Sequence, residues 1–316
     1  MRRVTAKAPI NVALCKYWGK RDEDLVLPMN DSLSVSMQDI TTTTTLTASE
    51  DLAFFIDGVR QNDEEHAKVR AFLTHFTTGE VKVEIRSHGA VPKGAGLASS
   101  AAGFAALGVA ANAIFDAKLS GDALAAVVRR GSGSAVRSLH GGVVVWRDKG
   151  TVERVDVDVS KLRMVFVVLD ARQKWMPSRE AMRHTMKTSP MYQPFVERAN
   201  EDVHAMLDAL KRNEFTRVGA IMEANYEAMH RAMENAVPPV VYRTQTSHDV
   251  VGLVRTLRSQ GLYAYATMDA GPNVKVLTNA DDGKAVKNAL EKAGHGRLLV
   301  SRMATEGAVI VDETAG

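Results

Sequence analysis

The chain is nearly devoid of cysteine. Cys15 is the only one among 316 residues, so no intrachain disulfide can form and a reducing compartment is expected. It also lacks a long hydrophobic run. No apolar stretch approaches the ~20 residues of a membrane helix, and the basic N-terminal segment MRRVTAKAPINVALCKYWGK has no apolar leader core or cleavage signal. A cytoplasmic protein with no membrane partner is the expectation. Charge of one sign is scarce in excess: the formal net charge is +3, spread along the chain. That fits anionic small ligands and gives no footprint for nucleic acid. The nine histidines are scattered without the H-x-x-x-H or H-E-x-x-H spacing of a zinc site, so no protein-held metal is expected. Internal repeats and disordered linkers are missing too.

What is present is the composition of an ordinary globular protein, 45% hydrophobic and 24% charged. At roughly 100–200 residues per domain the length predicts two domains. Alternation predicts strands at 32–37 and 81–86, and the threonine run Thr41–Thr45 reads as a solvated strand without a function of its own. Helical spacing marks 60–76, a long alanine-rich helix ending near Phe115, and 121–130. The apolar run Met164–Leu169 predicts a buried strand, and the division is drawn beside it, giving domains 1–170 and 171–316. The second half orders helices at 195–211, 214–235 and from Ser247, strands at 262–268 and 274–278, a helix at 283–293 and two closing strands. That order predicts an α+β domain.

Five segments carry chemistry. Pro92 to Ser100 (PKGAGLASS) lies between a strand and a helix. Its glycines would let backbone amides approach a ligand at a helix N-terminus, and Lys93, Ser99 and Ser100 add charge and hydroxyls. It is neither a Walker A loop nor the glycine fingerprint of dinucleotide folds; alone, a glycine turn with a serine cap explains it. Lys16 to Arg21 (KYWGKR) puts three cations around two aromatics, a polyanion holder or a solvated basic strand end. Gly131 to Ser138 (GSGSAVRS) offers small hydroxyls and one guanidinium, or a capped loop. Met268 to Asn273 (MDAGPN) ends an apolar strand in a carboxylate, either aimed for catalysis or closing an Asx-turn. Lys174 to Arg179 (KWMPSR) reads as a basic loop at the domain junction.

Taken together and in this order, these elements closely resemble the mevalonate diphosphate decarboxylase family of the GHMP kinase superfamily. The likeness runs through residues 8–38, 96–107, 130–146, 188–193 and 267–277, with Met229-His230 and Pro238-Pro239 also in place. The resemblance implies a two-domain α/β (α+β) GHMP kinase fold, an N-terminal ribosomal-protein-S5-like domain carrying the phosphate loop and a ferredoxin-like C-terminal domain, with the active site between them. It implies ATP and Mg2+ as cofactors, the magnesium bridging ATP phosphates near Ser99 and Ser100, a phosphorylated mevalonate as the small-molecule partner, and a homodimer. Asp269 matches the catalytic aspartate; Lys16 would keep it ionised, and Arg137 matches the residue on the substrate carboxylate. Tyr17, Lys20, Ser132, Ser134, Ser178 and Arg179 match substrate positions, with Asn11 a further anchor. Lys93, Gly94, Gly96, Leu97, Ala98, Ser99 and Ser100 form the nucleotide loop. Three positions depart from the pattern: Pro177 stands where serine is frequent, Ala181 where glycine is common, and Lys93-Gly94 where Thr-Ala is frequent. Pro177 leaves the 5-monophosphate open as the alternative substrate. A kinase that stops at the 3-phosphate and a non-catalytic protein on the same scaffold are the remaining alternatives.

Overall fold

The computed structural model describes residues 2–89, 99–170 and 175–314, Ser99 through its backbone alone. The first half runs β1 (Arg3–Cys15), β2 (Lys20–Asp22), β3 (Leu27–Pro28), β4 (Ser32–Ala48), β5 (Ala53–Ile56), β6 (Val59–Arg60), α1 (Asp63–Leu73), β7 (Val83–Gly89), α2 (Ser99–Ile114), α3 (Gly121–Gly131), α4 (Ala135–Leu139), β8 (Val143–Trp146) and β9 (Val152–Val155). It continues with β10 (Leu162–Val168), α5 (Ser178–Thr188), α6 (Tyr192–Lys211), α7 (Phe215–Glu234), α8 (Gln245–Ser259), β11 (Tyr265–Met268), β12 (Val274–Asn279), α9 (Gly283–Lys292), β13 (Arg297–Arg302) and β14 (Val309–Thr314). None of the described helices is long and apolar enough to cross a membrane.

Strand pairing apportions the chain between two main sheets. The first has the order β14-β1-β4-β7-β5-β6, with β8 and β9 branching from β4; the second is β11-β12-β10-β13, antiparallel throughout. Strand β10, ahead of the expected division at 170/171, pairs in the second sheet, and β14 returns to the first. Strand β1 is buried along nearly its whole length because α2, α6 and α7 all pack on it. The alanines of α2 (Ala102, Ala105, Ala106) let that helix sit close on Ile10, Val12 and Leu33 in one core. A second core joins Leu46, Phe54, Phe72 and Ile85; a third covers the other face of the second sheet with Val250, Val254 and Val286.

Local chemistry explains the ends. Asn62 caps α1 by accepting from the Glu65 N–H at 2.9 Å, with Asp63, Glu64 and Glu65 in the first turn. Thr244 and Ser247 form a capping box on α8. Three readings change. The GSGSAVRS segment contains a helix, α4, rather than a plain loop. The KWMPSR segment leads into α5 at Ser178, and its Lys174 lies outside the described residues. The threonine run is a strand with one wet and one dry face, Thr42 and Thr44 being buried.

Candidate active site

Lys16 follows the last residue of β1. Its backbone N–H donates to Asn225 Oδ1 at 2.7 Å, and its carbonyl accepts from Asn30 Nδ2 at 2.8 Å. Asn225 is itself braced by Asp202 at 2.9 Å. With the main chain held on both sides, the ammonium turns inward and donates to the Ala13 carbonyl at 2.9 Å and to Asp269 Oδ1 at 2.7 Å.

Asp269 is aimed by its strand. It follows β11 directly, and the Gly271 N–H closes a turn onto its carbonyl at 2.8 Å. Asn273 fastens that turn to the end of β10: its Oδ1 accepts from the Leu169 N–H at 2.6 Å and its Nδ2 donates to the Asp170 carbonyl at 2.8 Å. Ser247 Oγ donates to the Pro272 carbonyl at 2.7 Å. The DAGPN run is thus a rigid mount for one carboxylate. A second lysine, Lys275 on β12, holds the other carboxylate oxygen. Burial alone would raise the Asp269 pKa, but the two ammonium groups overcome it and hold the carboxyl far below the usual carboxylate range. Burial pushes Lys16 down to about 8, against the pull of Asp269 and with the help of Lys275 and Arg137.

Arg137 projects from α4 and is 3% exposed. It donates to Ser32 Oγ at 2.6 Å and to Asn11 Oδ1 at 3.3 Å, and lies 5.9 Å from the centre of the Trp146 ring. Asn11 returns two bonds to the α4 region, to Ser134 O at 3.1 Å and Ser138 Oγ at 2.8 Å. Its position in the structure is therefore that of a brace for the arginine. Burial lowers the Arg137 pKa to about 10, opposed by Asp269, which leaves it protonated at neutral pH.

One cavity of about 820 Å³ collects these groups: Asn11, Lys16, Tyr17, Lys20, Ser132, Ser134, Arg137, Ser178, Arg179 and Asp269 all line it. Ser132 and Ser134 hydroxyls stand 3.4 Å apart. Gly131 is required by close packing, since a Cβ there would fall 2.1 Å from the Phe104 ring. The Tyr17 hydroxyl is buried with no hydrogen-bond partner among the described residues, and burial raises its pKa. The Lys20 ammonium meets Glu23 at 2.7 Å, and Glu23 also binds Arg183 at 2.9 Å. Arg179 donates to the Gly131 carbonyl at 2.6 Å, tying α5 to the end of α3.

The same cavity has an apolar arm of Phe54, Ile56, Val69, Phe72, Phe104 and Leu107, with Thr42, Thr44, Lys68 and Ser100 on its walls. Its volume falls in the range of small-molecule sites. Apolar walls suit a purine, and hydroxyls, a lysine and the start of the 16-residue helix α2 suit phosphates, so this donor set fits ATP. Lys93, Gly94, Gly96, Leu97 and Ala98 lie outside the described residues, and Ser99 begins α2. Sequence reasoning passed over Lys275, Asn225, Asn30, Thr42 and Thr44. A lysine inside the apolar run Val274–Leu277 was the available signal for Lys275; five identical threonines gave none for Thr42 and Thr44.

Two α/β units meeting at a cavity that joins a helix N-terminus, an apolar arm and a buried Lys–Asp pair define a small-molecule kinase scaffold of the GHMP class. Residues 8–156 match the diphosphomevalonate decarboxylase-like N-terminal domain, and residues 164–306 match the mevalonate 5-diphosphate decarboxylase C-terminal domain. The chain belongs to the diphosphomevalonate decarboxylase family. It is 32% identical to the diphosphomevalonate decarboxylase of Candida albicans over 93% of this chain and 90% of that protein. The solved mevalonate diphosphate decarboxylase of Staphylococcus aureus superposes with a TM-score of 0.90 at 34% identity, covering 98% of each chain. The complex of MDDEF with MVAPP, AMPPCP and magnesium superposes with a TM-score of 0.91 at 35% identity, covering 98% of this chain and 99% of that one.

Proposed function

We propose that this protein catalyses the ATP-dependent decarboxylation of mevalonate 5-diphosphate to isopentenyl diphosphate, with ADP, phosphate and carbon dioxide as the other products. The observation that carries the reading is the convergence of Asp269, Lys16 and Arg137 on the cavity shared with Ser100 at the start of α2.

The chemistry follows from the charges. The C3 hydroxyl is a poor leaving group until it is phosphorylated. Asp269 accepts a hydrogen bond from that hydroxyl and aligns its oxygen with the incoming phosphoryl group. Held so firmly in its charged form, it is a weak base. It takes the proton late, once the new O–P bond has acidified the hydroxyl, as suits a loose phosphoryl-transfer transition state. Lys16 neutralises charge on the transferring group. Departure of the C3 phosphate leaves positive charge on C3, which the substrate's own C1 carboxylate stabilises. Arg137 holds the C1 carboxylate, which collapses to carbon dioxide as the alkene forms. Magnesium arrives with the ATP phosphates and neutralises them.

Three features support the 5-diphosphate. MDDEF was solved with MVAPP. Pro177 is the N-cap of α5, and the first helical amides follow it, at Ser178 and Arg179. A proline at the cap removes a side-chain hydroxyl but none of those helical donors. Arg130, Arg179 and Lys20 line the same cavity and add cations for a distal phosphate. A homodimer in the cytoplasm completes this reading, with sedimentation velocity as the check on assembly.

The test is carbon dioxide release with magnesium-ATP and either mevalonate 5-diphosphate or the 5-monophosphate. The expected result is stoichiometric release with a clear preference for the diphosphate. Preference for the monophosphate would reassign the substrate, and a stable 3-phosphate without gas release would make the enzyme a kinase.

A further inference from the structure

Fully buried lysines are rare unless paired, and Lys275, the second residue of β12, is 0% exposed. Its cross-strand neighbours are Thr267 on β11 and Phe166 on β10, so its ammonium crosses the sheet's inner face to reach Asp269 Oδ2. Asp269 therefore has two cations, one per oxygen. They differ in origin. Lys16 comes from the end of β1, in the first sheet's unit, and Lys275 comes from the strand beside Asp269's own.

The surplus has a consequence. Asp269 is half-buried at the cavity floor, and a carboxylate so placed with one counter-ion releases it at a desolvation cost. With two, one cation is free to follow an arriving anion. We propose that Lys275 is a positioning residue, the resident counter-ion of Asp269, and that its presence allows Lys16 to leave Asp269 and engage the phosphoryl group in transfer. The assignment rests on the function proposed above. The asymmetry of the two anchors sets which lysine moves. Lys275 is locked in register with Thr267 and shares its sheet with Asp269. Lys16 spans the boundary between the two units, and its second bond is to a main-chain carbonyl, Ala13, which needs no cation.

Two experiments on the full chain test this, with wild-type carbon dioxide release measured beside them so that failure of the basic reading is seen separately. The first is the crystal structure of the wild-type protein with mevalonate 5-diphosphate and AMPPCP. We expect Lys275 Nζ to stay in hydrogen-bond range of Asp269 while Lys16 Nζ moves to a phosphate oxygen. Lys16 remaining on Asp269 while Lys275 departs, or neither lysine moving, overturns the proposal. The second is Lys275→Met, compared with Lys275→Arg. With its only counter-ion locked in place, the methionine variant should lose about 10²-fold in kcat, the scale of one charge-stabilising contact. KM for both substrates should stay within about 3-fold, and the arginine variant should recover much of the loss. A methionine variant with wild-type kcat, or a loss expressed only in KM, sinks the idea. Should neither variant fold, the wild-type complex decides alone.

Discussion

The two ends of the cavity are built differently, although both are made of paired charges. At the inner end Lys16, Lys275 and Arg137 are sunk in the protein around the half-buried Asp269, and each is held by strands, buried asparagines or a neighbouring ring. At the outer end Glu23 bridges Lys20 and Arg183 with its own side chain 40% exposed and that of Arg183 57% exposed. The inner charges work in a low dielectric, where removing one leaves another uncompensated. Glu23 and Arg183 are exposed and screened, so their pair contributes little alone, and only the Lys20 ammonium beneath them is buried. On the proposed function, the inner end would serve the chemistry and the outer end the capture of an anion.

The sharpest way to break that contrast is Asp269→Asn. ATP binding should survive while turnover falls by at least ~10³-fold, the scale of losing a base and its charge; equilibrium nucleotide binding beside single-turnover kinetics checks both halves. Next comes Arg137→Leu. It removes the proposed partner of the substrate carboxylate and strands Asn11 Oδ1 and Ser32 Oγ. We expect about 10²-fold in kcat, together with about 1–3 kcal/mol of stability for the unpaired groups, read by urea denaturation. At the outer end Arg179→Ala should raise KM for the phosphorylated substrate about 10-fold, a difference of about 1.4 kcal/mol, with kcat little changed. A larger effect on kcat than on KM would erase the distinction between the ends.

The smallest effect is on stability. His230, behind the inner end, is fully buried with both ring nitrogens unpartnered among the described residues. Burial, aided by Arg243 and Lys16, lowers its pKa from 6.5 to about 3. The unfolded chain takes up this proton below about 6.5 and the folded protein does not. Stability should therefore fall as pH drops from 6.5 towards 3, by up to ~1.4 kcal/mol per pH unit from this group. Denaturation midpoints between pH 5 and 7 should show that slope in the wild type and a flatter one in His230→Leu.

Much of this was legible in the chain. The alternation at 81–86, the apolar faces of α6, α7 and α8 and the buried run at Met164–Leu169 lie close to where the periodicity put them, because local burial patterns carry that signal. Asp269, Arg137 and Lys16 stood out because charges at the edges of glycine-rich or apolar segments are conspicuous. Other parts had no local signature. Thr42 and Thr44 read as a solvated strand because β-propensity says nothing about which face meets a cavity. Ser178 starts a helix that the preceding loop-like residues concealed. Asn225, 209 residues beyond Lys16, could be assigned a role only when the two were seen to touch.

Taken by itself, the order of residues determined most of the strands and helices and which side chains could bear charge in chemistry, since those follow from periodicity and functional groups. The tertiary structure alone decided that β10 joins the second sheet and β14 the first, and that a carboxylate at 269 is gripped by lysines at 16 and 275. The reason is physical: hydrogen-bond pairing between strands and the field inside a cavity depend on distances in space, and those arise only when remote segments pack.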